Sequence, residues 1–194
     1  MTDDINRLKK ELRERLIYER SLIEDDKRIL YDGIILDKVM ALKEYREADT
    51  ILVYASYKGE ADTYGLIKRA LSDGKRVACP RCRFDKEVPL LDFYRIGSAD
   101  ELIEGFKGIP EPAADKDKLL KQNETGKALV IVPLVGYDGY RNRLGYGKGF
   151  YDRFLGSHEG LYSVGLAYGC QKCREVPVDK YDIRLNMIIS ELQE

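Results

Sequence analysis

The run Ala128-Leu129-Val130-Ile131-Val132-Pro133 leads through Leu134-Val135 into Gly136-Tyr137-Asp138-Gly139-Tyr140-Arg141-Asn142-Arg143-Leu144-Gly145-Tyr146-Gly147-Lys148-Gly149-Phe150-Tyr151-Asp152. Its opening residues are apolar without interruption, the pattern of a strand covered on both faces of a mostly parallel sheet. Five of the chain's 17 glycines lie between 136 and 149, a density that suits backbone brought close to a ligand. Lys148 to Leu155 then reads as a helix. A buried strand, a glycine-rich loop and a helix in succession predict a binding crevice at the carboxyl edge of an open α/β sheet.

The flanking segments agree. Thr50 to Ala55 is a second short apolar run, Thr63 to Ser72 has helical spacing with Gly74 at its end, and Arg76 to Cys79 is a further strand. Together they make a βαβ unit. Leu90 to Ile96, Ser163 to Ala167 and Met187 to Ser190 are predicted strands. Ser98 opens a short helix with a capping-box pattern, and residues 108–127 read as a surface connection. Residues 3–23 form an amphipathic helix with Ile5, Leu8, Leu12 and Leu16 inward and Lys9, Arg13 and Arg20 off that stripe. A second helix runs from about Asp26 to Tyr45 with Ile29, Leu30, Ile34, Val39 and Leu42 inward. The expectation is an α/β fold: a three-layer α/β/α sandwich with a Rossmann-like, mostly parallel sheet, residues 1–194 forming one domain.

Composition narrows function. The 194 residues carry 33 Lys+Arg and 34 Asp+Glu, a net charge of -1, which argues against a nucleic-acid partner while leaving room for a local basic pocket. His158 is the only histidine, so multi-histidine metal sites are excluded, and its Gly-rich surroundings read as a solvated loop. The charged start, MTDDINRLKKELRERL, is unlike a signal peptide, and no apolar stretch approaches the roughly 20 residues of a membrane span. A cytoplasmic monomer with reduced thiols and no membrane partner is expected.

The loop chemistry suits a polyphosphate. Glycines admit backbone N–H groups to an anion, a helix start adds its dipole, and Arg143 and Lys148 add fixed positive charge. Asp152, one turn into the helix, can share Mg²⁺ with phosphate oxygens. Gly147-Lys148 is not followed by Ser or Thr, so this is not a Walker A loop. A plain glycine-rich turn capping a helix is the competing reading. Cys79-x₂-Cys82 and Cys170-x₂-Cys173 admit three readings: a four-cysteine Zn²⁺ site, redox dithiols, or small buried hydrophobes.

Asn142 to Asp152 resembles the signature of the 5-formyltetrahydrofolate cyclo-ligase (methenyltetrahydrofolate synthetase) family. Lys9 and Arg13, Glu60-Ala61-Asp62-Thr63, Val132-Pro133, Gly165 to Tyr168 with Gln171, and Val176-Pro177-Val178 match further family elements in order. The resemblance implies ATP- and Mg²⁺-dependent closure of 5-formyltetrahydrofolate to 5,10-methenyltetrahydrofolate, with ADP and phosphate released. The formyl oxygen takes the γ-phosphoryl group, then N10 attacks the formyl carbon. It implies ATP contacts from Lys9, Arg13, Arg143, Leu144, Gly145, Tyr146, Gly147, Lys148, Gly149, Phe150 and Tyr151. It implies folate contacts from Ala55, Glu60, Tyr146, Gly147, Lys148, Gly149 and Phe150. Arg143, Lys148 and Tyr151 are the expected catalytic residues, with Asp152 and Asn186 at the Mg²⁺ positions. Asn186 stands where the family often has Asp, and Tyr181 where many bacterial members have His. These departures keep two alternatives in view: a non-catalytic nucleotide- or zinc-binding module of the same fold, and a ligase for a related pterin.

Overall fold

The computed structural model describes residues 2–121, 124, 125 and 127–192. Helices α1 (Thr2–Ser21), α2 (Asp25–Ala41) and α3 (Lys43–Glu47) precede β1 (Thr50–Leu52), α4 (Tyr64–Ser72) and β2 (Arg76–Asp85). A hairpin leads into β3 (Val88–Ile96), followed by β4 (Leu102–Glu104) and β5 (Pro110–Pro112). Then come β6 (Ala128–Val132), β7 (Gly136–Tyr137), β8 (Arg143–Leu144), α5 (Phe150–Ser157), β9 (Tyr162–Leu166) and β10 (Met187–Ile189).

The central sheet has the order β10-β9-β6-β1-β2-β3. Every neighbouring pair is parallel except β2 with β3. The two apolar runs of the sequence, β6 and β1, lie side by side in the middle, and all their residues are buried. Alternation sorts them to two faces. Ile51, Val53, Leu129, Ile131 and Val164 join Ile35 and Val39 of α2 and Leu66, Ile67 and Ala70 of α4. Leu52, Val130 and Val132 pack on Phe93 and on Phe154 and Leu155 of α5. Helices thus cover both faces, as the sequence predicts. Among the described residues no helix is long and apolar enough to cross a membrane.

Four local expectations need correction. Ile29 and Leu30 are exposed, because the buried face of α2 centres on Ile35 and Val39. The predicted 26–45 helix breaks at Leu42, whose backbone is extended (φ -62°, ψ 138°), and restarts as α3. The 108–127 connection carries strand β5, paired antiparallel with β4. On α1, Leu8 is exposed while Arg20 is buried. At 100° per residue, Lys9, Arg13, Leu16 and Arg20 share one face. That face meets the glycine-rich loop region rather than the sheet. Leu16 packs there with Val135, Leu144 and Val176, and it sits where a Cβ on Gly136 would have to go.

Candidate functional site

A cleft of about 1150 Å³ opens beyond the carboxyl ends of β1 and β6. Every residue of the expected ATP and folate sets lines it: Lys9, Arg13, Ala55, Glu60 and the whole of Arg143–Tyr151, with Asp152 beside them. Eight basic side chains against five acidic ones face this space, so a nearly neutral protein presents a locally positive pocket.

The glycine-rich loop has a rigid root. β7 and β8 form a small hairpin, and the Val135 N–H donates to the Leu144 carbonyl at 2.7 Å. Inside the hairpin the Asp138 carboxylate accepts from the N–H groups of Tyr140, Asn142 and Val176 and from the Asn142 side chain, at 2.9–3.0 Å. Burial pushes the Asp138 carboxyl up, yet these four donors hold it below its ordinary value. From below, the Gln171 amide donates to the carbonyls of Leu134 and Val135.

The loop beyond β8 is held by arginines. Arg13 Nε donates to the Gly145 carbonyl at 2.8 Å, and the guanidinium lies against Gly147, where a Cβ would crowd it. Gly149 enters α5 with φ +69°, a conformation that favours glycine. The helix therefore begins at Phe150, two residues later than its pattern predicts. Arg143 is buried, and its Nη2 donates to Asp152 Oδ1 at 2.6 Å. That oxygen also accepts from the Ile183 N–H at 3.2 Å. Arg143 Nε and the Tyr151 hydroxyl are buried without a hydrogen-bond partner among the described residues, an unusual state for polar groups. Lys148 is exposed and makes no hydrogen bond or ion pair among the described residues.

The opposite wall carries Glu60. Its Oε2 accepts the Tyr57 N–H at 2.9 Å. Burial raises the Glu60 carboxyl above its usual value, while the Tyr146 hydroxyl, the Tyr57 N–H and Arg20 pull against that rise. At the cleft edge Phe150 meets Phe84 and Phe106 with ring centroids 5.5 and 6.0 Å away. Lys9 is ion-paired to Asp182 at 2.5 Å and to Asp179 at 2.9 Å. Burial pulls the Lys9 ammonium down, but these two carboxylates leave it above its ordinary value.

Two sequence-based assignments are not brought into this site. Asn186 does not line the cleft. Its Oδ1 accepts from the Ser163 N–H and hydroxyl, both at 2.9 Å, so it fastens the start of β10 to β9. The cysteine pairs lie apart. Cys79 and Cys82 sit on β2 and Cys170 and Cys173 follow β9, with β6 and β1 between them. Three strand spacings amount to roughly 14 Å, too far for one tetrahedral metal. All four thiols are free, and no group of three or more His, Cys, Asp or Glu fit to hold a metal exists among the described residues. Only Cys82 reaches the cleft, and burial with Glu111 beside it pushes that thiol up to about 12, which makes it inert. His158 caps the end of α5 and stacks on Phe154 at 4.3 Å.

Three participants escaped the sequence reading. Asp138 sits in an Asp-Gly turn, a local signal for a side chain bonding its own backbone. Arg20 lies eleven residues after Lys9, which returns it to the same helix face. Asp179, paired with Lys9, had no local signal.

Comparison with known proteins follows the same outline. Residues 5–191 match the model of the 5-formyltetrahydrofolate cyclo-ligase family. The 5-formyltetrahydrofolate cyclo-ligase of Mus musculus is 28% identical over 195 residues, covering 96% of this chain and 95% of its own. That of Escherichia coli K12 is 36% identical over 145 residues, covering 74% and 78%. Among solved structures, the 5,10-methenyltetrahydrofolate synthetase of Aquifex aeolicus superposes with a TM-score of 0.79 at 27% identity, covering 96% of this chain and 91% of its own.

Proposed function

The chain belongs to the 5-formyltetrahydrofolate cyclo-ligase family, and from that premise we propose that its cleft closes 5-formyltetrahydrofolate to 5,10-methenyltetrahydrofolate with ATP and Mg²⁺. The observation that carries the proposal is the convergence of Lys9, Arg13, Arg143, Lys148 and the glycine-rich loop with Glu60 around one cavity.

The donor set fits a triphosphate. Lys148 is an ammonium at the cleft surface with no ion pair among the described residues, the loop supplies backbone N–H groups, and Arg143 and Arg13 also line the cleft. The Asp152 carboxylate fits Mg²⁺ as a single protein ligand. One of its oxygens is held by Arg143 and Ile183, and the other is left for a cation. Asn186 does not fit, because its oxygen is committed to Ser163. Bound there, Mg²⁺ would supply charge neutralisation for phosphate oxygens.

The residues then divide the work. An amide oxygen is a poor leaving group, and phosphorylation corrects that. As the formyl oxygen bonds to the γ-phosphorus, the bond to the β-phosphate oxygen breaks and ADP leaves. Lys148 and Arg143 offset the negative charge that shifts during transfer. N10 next bonds to the formyl carbon, the phosphorylated oxygen departs as phosphate, and N10 gives up its proton. This step joins atoms of one bound molecule, so holding the folate bent removes much of its entropic barrier. Glu60 anchors the pterin edge through ring N–H and amino donors, and Phe106 and Phe150 give an apolar wall. No imidazole is required.

The test mixes protein, 5-formyltetrahydrofolate, ATP and Mg²⁺ and follows the methenyl product by its near-ultraviolet absorbance, with ADP measured in parallel. Equal amounts of both products are expected. No product above the enzyme-free control overturns the proposal.

A further inference from the structure

Glu60 is carried by residues 56–63, which link β1 to α4 and lie outside helix and strand. Lys58 (φ 46°) and Gly59 (φ 77°) turn this loop through the left-handed region, which is strained for a lysine and needs outside support. The backbone polar groups of such a loop need partners beyond the sheet. On the two sides of Glu60 those partners come from one helix. Arg28 Nη1 donates to the Gly59 carbonyl at 2.9 Å, and Asp32 Oδ1 accepts from the Asp62 N–H at 3.0 Å. Arg28 and Asp32 stand four residues apart on α2, so they share one face of the helix.

The spacing would suit an ion pair, yet among the described residues neither makes one; both are committed to the backbone of the Glu60 loop. Tyr168, fully buried beyond β9, steadies the two together. Its hydroxyl donates to the same Asp32 oxygen at 2.7 Å, and its ring centre lies 5.3 Å from the Arg28 guanidinium. The hydroxyl also lies 3.4 Å from the Glu60 carbonyl. Arg28 Nη2 donates to the Arg20 carbonyl at 3.2 Å, which ties α2 to the end of α1. Within the loop the Tyr57 N–H donates to Glu60 Oε2 at 2.9 Å. The Asp62 carboxylate then accepts from the N–H groups of Tyr64 and Gly65 at 3.3 and 3.0 Å, at the start of α4.

We infer that Arg28 and Asp32 are positioning residues: a two-point clamp from α2 that fixes the loop on both sides of Glu60 and so sets where its carboxylate stands in the cleft. This rests on the reading of Glu60 as the folate anchor. Neither clamp residue lines the cleft, so neither touches substrate. A carboxylate recognises a heteroaromatic edge only when its oxygens are in register with the donors. On a loose loop that register would have to be ordered at the moment of binding, at the expense of affinity. The clamp orders it beforehand.

The experiment compares wild type, Arg28→Met, Asp32→Ala and Asp32→Asn, each with Glu60 and with Glu60→Ala, at temperatures where melting shows each folded. Arg28→Met and Asp32→Ala should each raise KM for 5-formyltetrahydrofolate about tenfold, the worth of one hydrogen bond to a charged group. KM for ATP should stay within about twofold, because the clamp makes no contact with the glycine-rich loop. Asp32→Asn keeps an oxygen for both donors and should restore most of the wild-type KM. With Glu60→Ala present, the same substitutions should change KM for the folate by less than about twofold, since the clamp then has no carboxylate to place. A general structural loss would persist in that background. Independently of turnover, hydrogen exchange of the Tyr57 amide reports whether the Glu60 carboxylate is in place. It should be several-fold faster in Arg28→Met and Asp32→Ala and close to wild type in Asp32→Asn. If Asp32→Ala does not fold, Arg28→Met carries the same expectations. Equal KM losses with and without Glu60, or unchanged Tyr57 exchange, overturn the inference. Faster Tyr57 exchange in the variants, with no folate binding or turnover by wild type, leaves the clamp standing and counts against the folate reading alone.

Discussion

Arg143 Nη2 and Asp152 Oδ1 lie 2.6 Å apart in the wall of the cleft, joining β8 to the first turn of α5. The pair gives the glycine-rich loop two fixed ends, and it separates two roles that mutation can distinguish. Asp152→Asn keeps an oxygen for Arg143 but removes the charge. It should lower kcat by about 100-fold or more, the scale of losing a group aimed at transition-state charge, and also lower the melting temperature, because the buried Arg143 cation loses its counter-charge. Arg143→Ala leaves a mostly buried carboxylate unpaired and should cost about 3 kcal/mol of stability besides activity. Denaturant titration beside the absorbance assay checks both.

Lys148 offers the converse case. It is exposed and makes no hydrogen bond or ion pair among the described residues, so Lys148→Ala should leave stability within about 0.5 kcal/mol. KM for ATP should rise about tenfold or more through loss of a charged hydrogen bond to phosphate. Full activity in this variant would remove the loop from the nucleotide site.

Asn186→Ala distinguishes a metal ligand from a structural clasp. With Ser163 deprived of its acceptor, the variant should lose about 1–3 kcal/mol. The Mg²⁺ concentration giving half-maximal activity should match wild type. A large rise in that concentration would return Asn186 to the metal.

The Lys9 pairings predict a pH window. The Lys9 ammonium stands above its ordinary 10.5, so its contribution is complete below that pH and is lost as pH rises through the folded value. The Asp179 carboxyl, held by Lys9 and the Tyr181 N–H, stands below its ordinary 3.8. Its contribution is complete above that pH and is lost as pH falls through the folded value. The difference in melting temperature between wild type and Lys9→Met should therefore be widest between these limits and shrink on both sides. A difference that is flat with pH would show that Lys9 acts by packing alone.

How much could be read in advance follows from the range of the forces. The apolar runs of β1 and β6 and the glycines of 136–149 are local, contiguous signals, and they located the sheet and the cleft. The resemblance carried Lys9 and Glu60 to walls that pattern alone would have left as solvated charges. What escaped depends on register and strand order. Asn186 bonds Ser163 because β10 lies parallel to β9, and the cysteine pairs stay apart because β6 and β1 separate their strands. Neither fact is encoded in C-x₂-C spacing. Arg20 and Leu8 were misjudged for a further reason. α1 packs on polar loops, where an inward face holds arginine as readily as leucine.

The long reach of the Lys9 contacts has a consequence for synthesis. Helix α1 is pinned by carboxylates 170 and 173 residues further along. Loop closure over that span is slow and entropically costly. On a ribosome, the strands through β9 emerge and pair while α1 still waits for Asp179 and Asp182. The nascent chain can therefore pair the strands up to β9 before the carboxylates that hold Lys9 exist, so a chain released before Asp179 would carry most of its sheet and an unfinished cleft wall.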